Sequence, residues 1–159
     1  MRGRIAMFKK SFYVLIISIA VAILGIFLLR IHYPIGPVVL LLSLFPIAGL
    51  IISKRKIISA LPDIIFGLID TGLLTIPALA GGLFYGVAGA IAGGVIGDAI
   101  TDSIAGFFEG SISEYLRSKG IEESRESVTT SLGKMAGCLL GSGFVLSIAL
   151  LFGIQPKFQ

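Results

Sequence analysis

Between Ile57 and Phe108 the chain runs for 52 residues without a Lys, Arg, His or Glu, yet all four of its aspartates (Asp63, Asp70, Asp98 and Asp102) lie there. The rest of the tract is as apolar as a bilayer interior, and its length is far beyond the roughly 20 residues that one membrane helix requires. An Asp near the centre of such a helix costs roughly 2.5–3.5 kcal/mol of insertion energy, so it is tolerated where it faces another such group, water or a cation. The tract therefore predicts a helical hairpin that carries an intramembrane polar site.

The remainder of the chain supports the same setting. With 55% hydrophobic and 14% charged residues, there is too little polar surface to coat a soluble globule. The expected fold class is all-α: a polytopic helical membrane protein of about five transmembrane helices. A single cysteine, Cys138, excludes an internal disulfide, and a single histidine, His32, excludes a histidine-rich metal site or a Ser-His pair with a spare. The glycines lie within apolar helices, with no strand-loop-helix or Gly-Lys-Ser/Thr pattern, so no nucleotide site is expected. The basic residues cluster at membrane boundaries, so neither is a nucleic-acid partner.

Charge is segregated along the chain. Residues 1–56 sum to +8 and residues 57–159 to −4, which reproduces the net +4. The positive-inside rule then puts the N-terminus and the Lys54-Arg55-Lys56 cluster in the cytoplasm. Four segments follow. Residues 1–56 form a basic N-terminus and a hairpin of spans about 12–30 and 37–53, turning outside at His32 to Pro37. Residues 57–108 form the Asp/Gly-rich hairpin, with Gly81-Gly82 as its expected turn. Residues 109–130 hold all five glutamates and read as a cytoplasmic helical segment that Gly120 divides into two short helices. Residues 131–159 form a last span and a short outer tail.

Counting from Gly82 at about 1.5 Å per residue, Asp63 and Asp102 share a level roughly 28–30 Å below the turn, near the cytoplasmic boundary. Asp70 and Asp98 fall deeper, about one helical turn apart. Asp98, Thr101, Asp102 and Glu109 occupy one stripe of the fourth span, and Asp63 and Asp70 one stripe of the third. Four carboxylates side by side in low dielectric cannot all stay ionised, so they must share protons or hold metal ions. With hydroxyls from Thr71, Thr75, Thr101 and Ser103 near by and no thiolate cluster, the donor set suits a hard or borderline divalent cation of unknown identity. Asp63 also fits an ordinary helix start after Pro62, and Asp102 a residue that reaches the interface.

Glycine spacing adds a packing expectation. Gly86, Gly89, Gly93 and Gly97 on the fourth span, and Gly137 and Gly141 on the fifth, form faces that another helix can approach closely. A homodimer packed through these faces would supply helices that one protomer lacks. Pro77 is expected to kink the third span as a hinge. Lys134 can pair with Glu109 or Asp102, or snorkel to the surface.

The stretch from Asp63 through Asp70-Thr-Gly-Leu-Leu to Gly81 resembles the first helix of the vacuolar iron transporter family. The glycine-rich run Gly89 to Gly97, then Ser103 to Glu109 and Glu114 to Lys119, is similar to that family's second helix and its exit into a glutamate-rich metal-binding bundle. The resemblance covers about residues 63–126. It implies Asp70 as the intramembrane metal or proton residue, and Glu109, Glu114, Glu122, Glu123 and Glu126 as cytoplasmic metal-capturing residues. The chain departs from the pattern at Ile69, where the family has Asn, in having no Met in spans three and four, and in having one span after the acidic segment where the family has three.

The functional expectation is a multi-pass integral membrane protein, not an enzyme, that moves a divalent cation of the iron or manganese kind through intramembrane aspartates. Its partners are membrane lipid, metal ions or protons, and a second copy of itself. Asp70, Asp98, Asp102, Asp63, Glu109 and Glu114 are the candidate metal residues. A membrane scaffold or assembly subunit using the glycine faces is the alternative. Intramembrane aspartyl proteolysis, which Gly97-Asp98 superficially suggests, is a further one.

Overall fold

The computed structural model describes residues 2–30, 33–121 and 126–154, with side chains from residue 10 onward apart from Leu29. The expectations for His32, Glu122, Glu123 and the tail 155–159 lie outside the described residues. Every regular element within them is helical: α1 Arg2–Arg30, α2 Ile35–Leu42, α3 Leu44–Ile52, a 3-10 turn Ile57–Ala60, α4 Leu61–Ser118 and α5 Ser127–Leu151. Four helical stretches are long and apolar enough to cross a membrane: Lys10–Leu28, Ile35–Ile52, Ile57–Ser118 and Ser127–Leu151.

Local chemistry sets the breaks. Pro46 has no N–H to give the Leu42 carbonyl, and the helix of the second stretch is interrupted nearby at Ser43. Ser43 Oγ donates to the Leu40 carbonyl at 2.6 Å there. The α3 end turns through Lys54 in the left-handed region (φ 56°), and Pro62 opens α4 in its first turn, where a missing N–H costs nothing.

The 58-residue α4 is two antiparallel arms, 61–85 and 87–118, folded at Gly86, whose φ 64° and ψ −150° are accessible essentially to glycine alone. This corrects the turn expected at Gly81-Gly82. Those two glycines stay helical, and Gly81 and Gly89 lie so close that a Cβ on either would strike the other's carbonyl. Gly93 abuts the Pro77 carbonyl, and Gly97 the Pro77 ring. Pro77 is a packing residue in this fold, and the one non-helical position within α4 is Gly86. Gly86 in turn is the reversal and not a helix-packing glycine, since a Cβ there would meet nothing within 4 Å.

Helix α5 is the centre of the bundle. Gly133 sits against Asp63, Gly137 against the Ile64 carbonyl and Gly141 against that of Leu68, so α5 runs parallel to the first arm of α4 at backbone contact. On its other side Gly143 meets Leu40 and Ser147 meets Gly36, so α2 runs antiparallel to it. The glycine faces expected to join two protomers are therefore filled within one chain. Tyr13 of α1 donates to the Gly49 carbonyl at 2.9 Å and packs, with Val14, Ile17 and Ile64, on a core of Leu50, Ala60, Val128 and Leu132. Phe84, Tyr85, Val87, Ile91 and Val95, by contrast, are between 62% and 79% exposed, an apolar surface too continuous for water.

One end of the bundle gathers the polar segments. Glu126, just before α5, is ion-paired to both Lys10 of α1 and Arg55 after α3. Gly120 (φ 71°) does interrupt the glutamate-rich segment, but the helices on either side are the last turns of α4 and the first of α5, not two short independent ones.

Candidate functional site

Moving the turn from Gly82 to Gly86 changes which aspartates meet. Asp70 lies 16 residues before Gly86 and Asp102 16 after it, so these two share a level, with Asp98 one turn nearer the tip. Asp63 lies 23 residues before Gly86, level with Glu109 at 23 after, which corrects the expected pairing of Asp63 with Asp102. Carboxylate oxygens of Asp70, Asp98 and Asp102 all lie within 4.8 Å of one another.

The two arms contribute differently. Asp70 on the first arm is 8% exposed, and its Oδ1 accepts a 2.7 Å hydrogen bond from the hydroxyl of Thr101, itself 5% exposed. Asp98 and Asp102, one turn apart on the second arm, flank Thr101 on the same helix face and are exposed. The close approach that lets Asp70 reach them comes from Gly97 and Gly93, where any larger residue would hold the arms apart. No basic side chain occurs anywhere in the tract from Ile57 to Phe108. Three carboxylates so placed can offer oxygen ligands from two helices to one divalent cation. Open positions on the Asp98 and Asp102 side leave room for the water ligands that such ions keep.

About 10 Å nearer the charged end, seven residues along the first arm, is a second polar layer. Asp63 is 6% exposed there. Lys134 Nζ stands 3.4 Å from Glu109 Oε2 and 3.8 Å over the centre of the Phe66 ring. Of the partners expected for Lys134, the structure selects Glu109. Glu114 is exposed one to two turns further along α4 and does not join the aspartate group.

Glu126 is not free to capture a metal. The Lys10 ammonium hydrogen-bonded to it, with Arg55 beside it, holds its carboxyl below the ordinary value of 4.5 against the opposing effect of burial. This three-residue node was not expected from the sequence. Its partners stand 116 positions apart in one case, and the available signal was that lysine, arginine and glutamate clusters were all assigned to one side of the membrane. Comparison with family models, with curated proteins and with solved structures finds no match for this chain.

Proposed function

We propose that this protein is an integral membrane carrier or channel for a divalent cation of the iron or manganese kind, with Asp70, Asp98 and Asp102 as its intramembrane site. One observation carries the reading: three carboxylates from two arms of a helical hairpin converge within 4.8 Å in a tract free of basic residues. Counting both arms of α4, the chain crosses the membrane five times, with the N-terminus, Lys54-Arg55-Lys56 and the glutamate-rich segment in the cytoplasm. Asp63, Glu109 and Glu114 stand on the cytoplasmic approach to that site. Kinship with the vacuolar iron transporters belongs to this proposal and rests on the residues 63–126 alone.

A homodimer is part of the same reading, through a different face from the one first expected. Exposed carboxylates at hydrocarbon depth must be covered by protein or water. On the second arm Gly94, Gly106 and Gly110 meet nothing within 4 Å, and Ile96, Ile100 and Phe107 beside them are exposed. A second copy there would enclose Asp98 and Asp102.

The test is isotope uptake into proteoliposomes, with Fe²⁺ and Mn²⁺ as the probes. Uptake by the wild type that Asp70→Asn and Asp98→Asn abolish supports the proposal. Absence of uptake of either ion by folded wild-type protein refutes it, and favours the membrane scaffold instead.

A further inference from the structure

At the charged end of the bundle, the packing of α1 on the beginning of α5 leaves a gap on one side of their contact. An open cleft of about 300 Å³ lies between them, walled by Lys10 and by the serines Ser11, Ser18, Ser127 and Ser131, with Val14 and Leu15 as its apolar side. Its depth is informative. The apolar stretches of both helices begin here, at Lys10 and at Ser127, so the cleft lies at the level where hydrocarbon gives way to headgroups.

Its chemistry selects an anion with a greasy attachment. Glu126 takes up both Lys10 and Arg55, which leaves that trio with one surplus positive charge, and Lys54 and Lys56 are exposed on the adjoining turn. Serine hydroxyls donate to phosphate oxygens without adding charge. Ser18 satisfies its own proton on the Val14 carbonyl at 3.0 Å and keeps its lone pairs for a headgroup hydroxyl. Leu15 at the cleft adjoins Phe12, Ile16 and Ile19, all about half exposed on α1 (49% to 54%), so an acyl chain leaving the cleft runs directly onto a lipid-facing surface.

We propose that this cleft seats the phosphodiester headgroup of an anionic membrane phospholipid. The inference rests on the helices spanning a membrane and is independent of cation transport.

Delipidated full-length protein in detergent would be titrated with phosphatidylglycerol, phosphatidylcholine and soluble glycerol phosphate, with native mass spectrometry reading the bound species. Phosphatidylglycerol should bind the wild type about fivefold more tightly than phosphatidylcholine, the effect of roughly one unit of charge at a membrane surface. Lys10→Gln should remove most of that preference and Lys10→Arg should keep it, while Ser127→Ala with Ser131→Ala should weaken binding of both lipids, since the serines donate to a phosphate that both carry. Should the double alanine variant fail to fold, Ser11→Leu, which fills the cleft and leaves the ion pairs in place, gives the same reading. Equal binding of the two lipids by the wild type, an undiminished preference in Lys10→Gln, or undiminished binding of both lipids in the serine variants overturns the proposal. So does competition by glycerol phosphate at the same concentration, which would make the cleft a site for a soluble phosphate.

Discussion

Gly86 at the turn of α4 and Gly94 on its second arm separate backbone strain from packing. A Cβ at Gly86 and a Cβ at Gly94 both enter open space, with nothing within 4 Å. They differ in backbone: Gly86 has φ 64° and ψ −150°, while Gly94 lies inside regular helix. Gly86→Ala forces an L side chain into a region that costs about 1–3 kcal/mol. Gly94→Ala should instead stabilise by about 0.5–1 kcal/mol, because alanine loses less backbone entropy in a helix. The same substitution eight positions apart therefore has opposite signs, with a gap of about 1.5–4 kcal/mol between the variants. Equilibrium unfolding of the purified protein in mixed micelles reads this directly. Gly86→Ala as stable as wild type, or Gly94→Ala as damaging as Gly86→Ala, would refute the reversal at Gly86 and with it the alignment of Asp70 with Asp102.

Other expectations follow from the packing and the charges. Gly137→Val drives a branched side chain into the Ile64 carbonyl and should destabilise by about 1–3 kcal/mol or more, measured in the same unfolding assay. Asp98→Asn should weaken divalent-cation binding about tenfold or more while leaving stability equal or higher, since the neutral isostere removes repulsion and desolvation; loss of folding would make Asp98 a structural partner instead. The lowered Glu126 carboxyl contributes stability that is fully present above its ordinary value of 4.5 and is lost as pH falls through the lower native value. Glu126→Gln should therefore flatten the acid limb of a stability–pH profile. Cysteines introduced at positions 55 and 118 should label from the same side of the membrane, and labelling from opposite sides would refute the assigned topology.

The parts of this fold that were legible in the sequence are those written in composition and period. Apolar length located the helices, while the Glu126 node, which joins residues far apart in the chain, was not legible. The aspartates were recognisable because a carboxylate in an apolar tract has few explanations. The register between the arms was not legible. Gly81-Gly82 is the stronger local turn signal, and only the three-dimensional packing of Gly81 against Gly89 and of Gly93 against Pro77 shows that a lone glycine, four residues later, makes the reversal. A four-residue shift of the turn moves the opposing arm by eight positions, which exchanges Asp63 for Asp70 as the partner of Asp102. Glycine spacing likewise announced close approach without saying whose helix approaches, and the answer is largely the chain's own.

The convergence of Asp70, Asp98 and Asp102 on one cation is tested most directly by manganese binding. Titration of the detergent-solubilised protein with Mn²⁺, followed by the loss of the free-ion electron paramagnetic resonance signal, should show saturable binding that Asp70→Asn and Asp102→Asn each weaken and the triple Asn variant eliminates. Binding that survives in the triple variant would place the ion elsewhere, and a folded wild type that binds no Mn²⁺ would contradict the site.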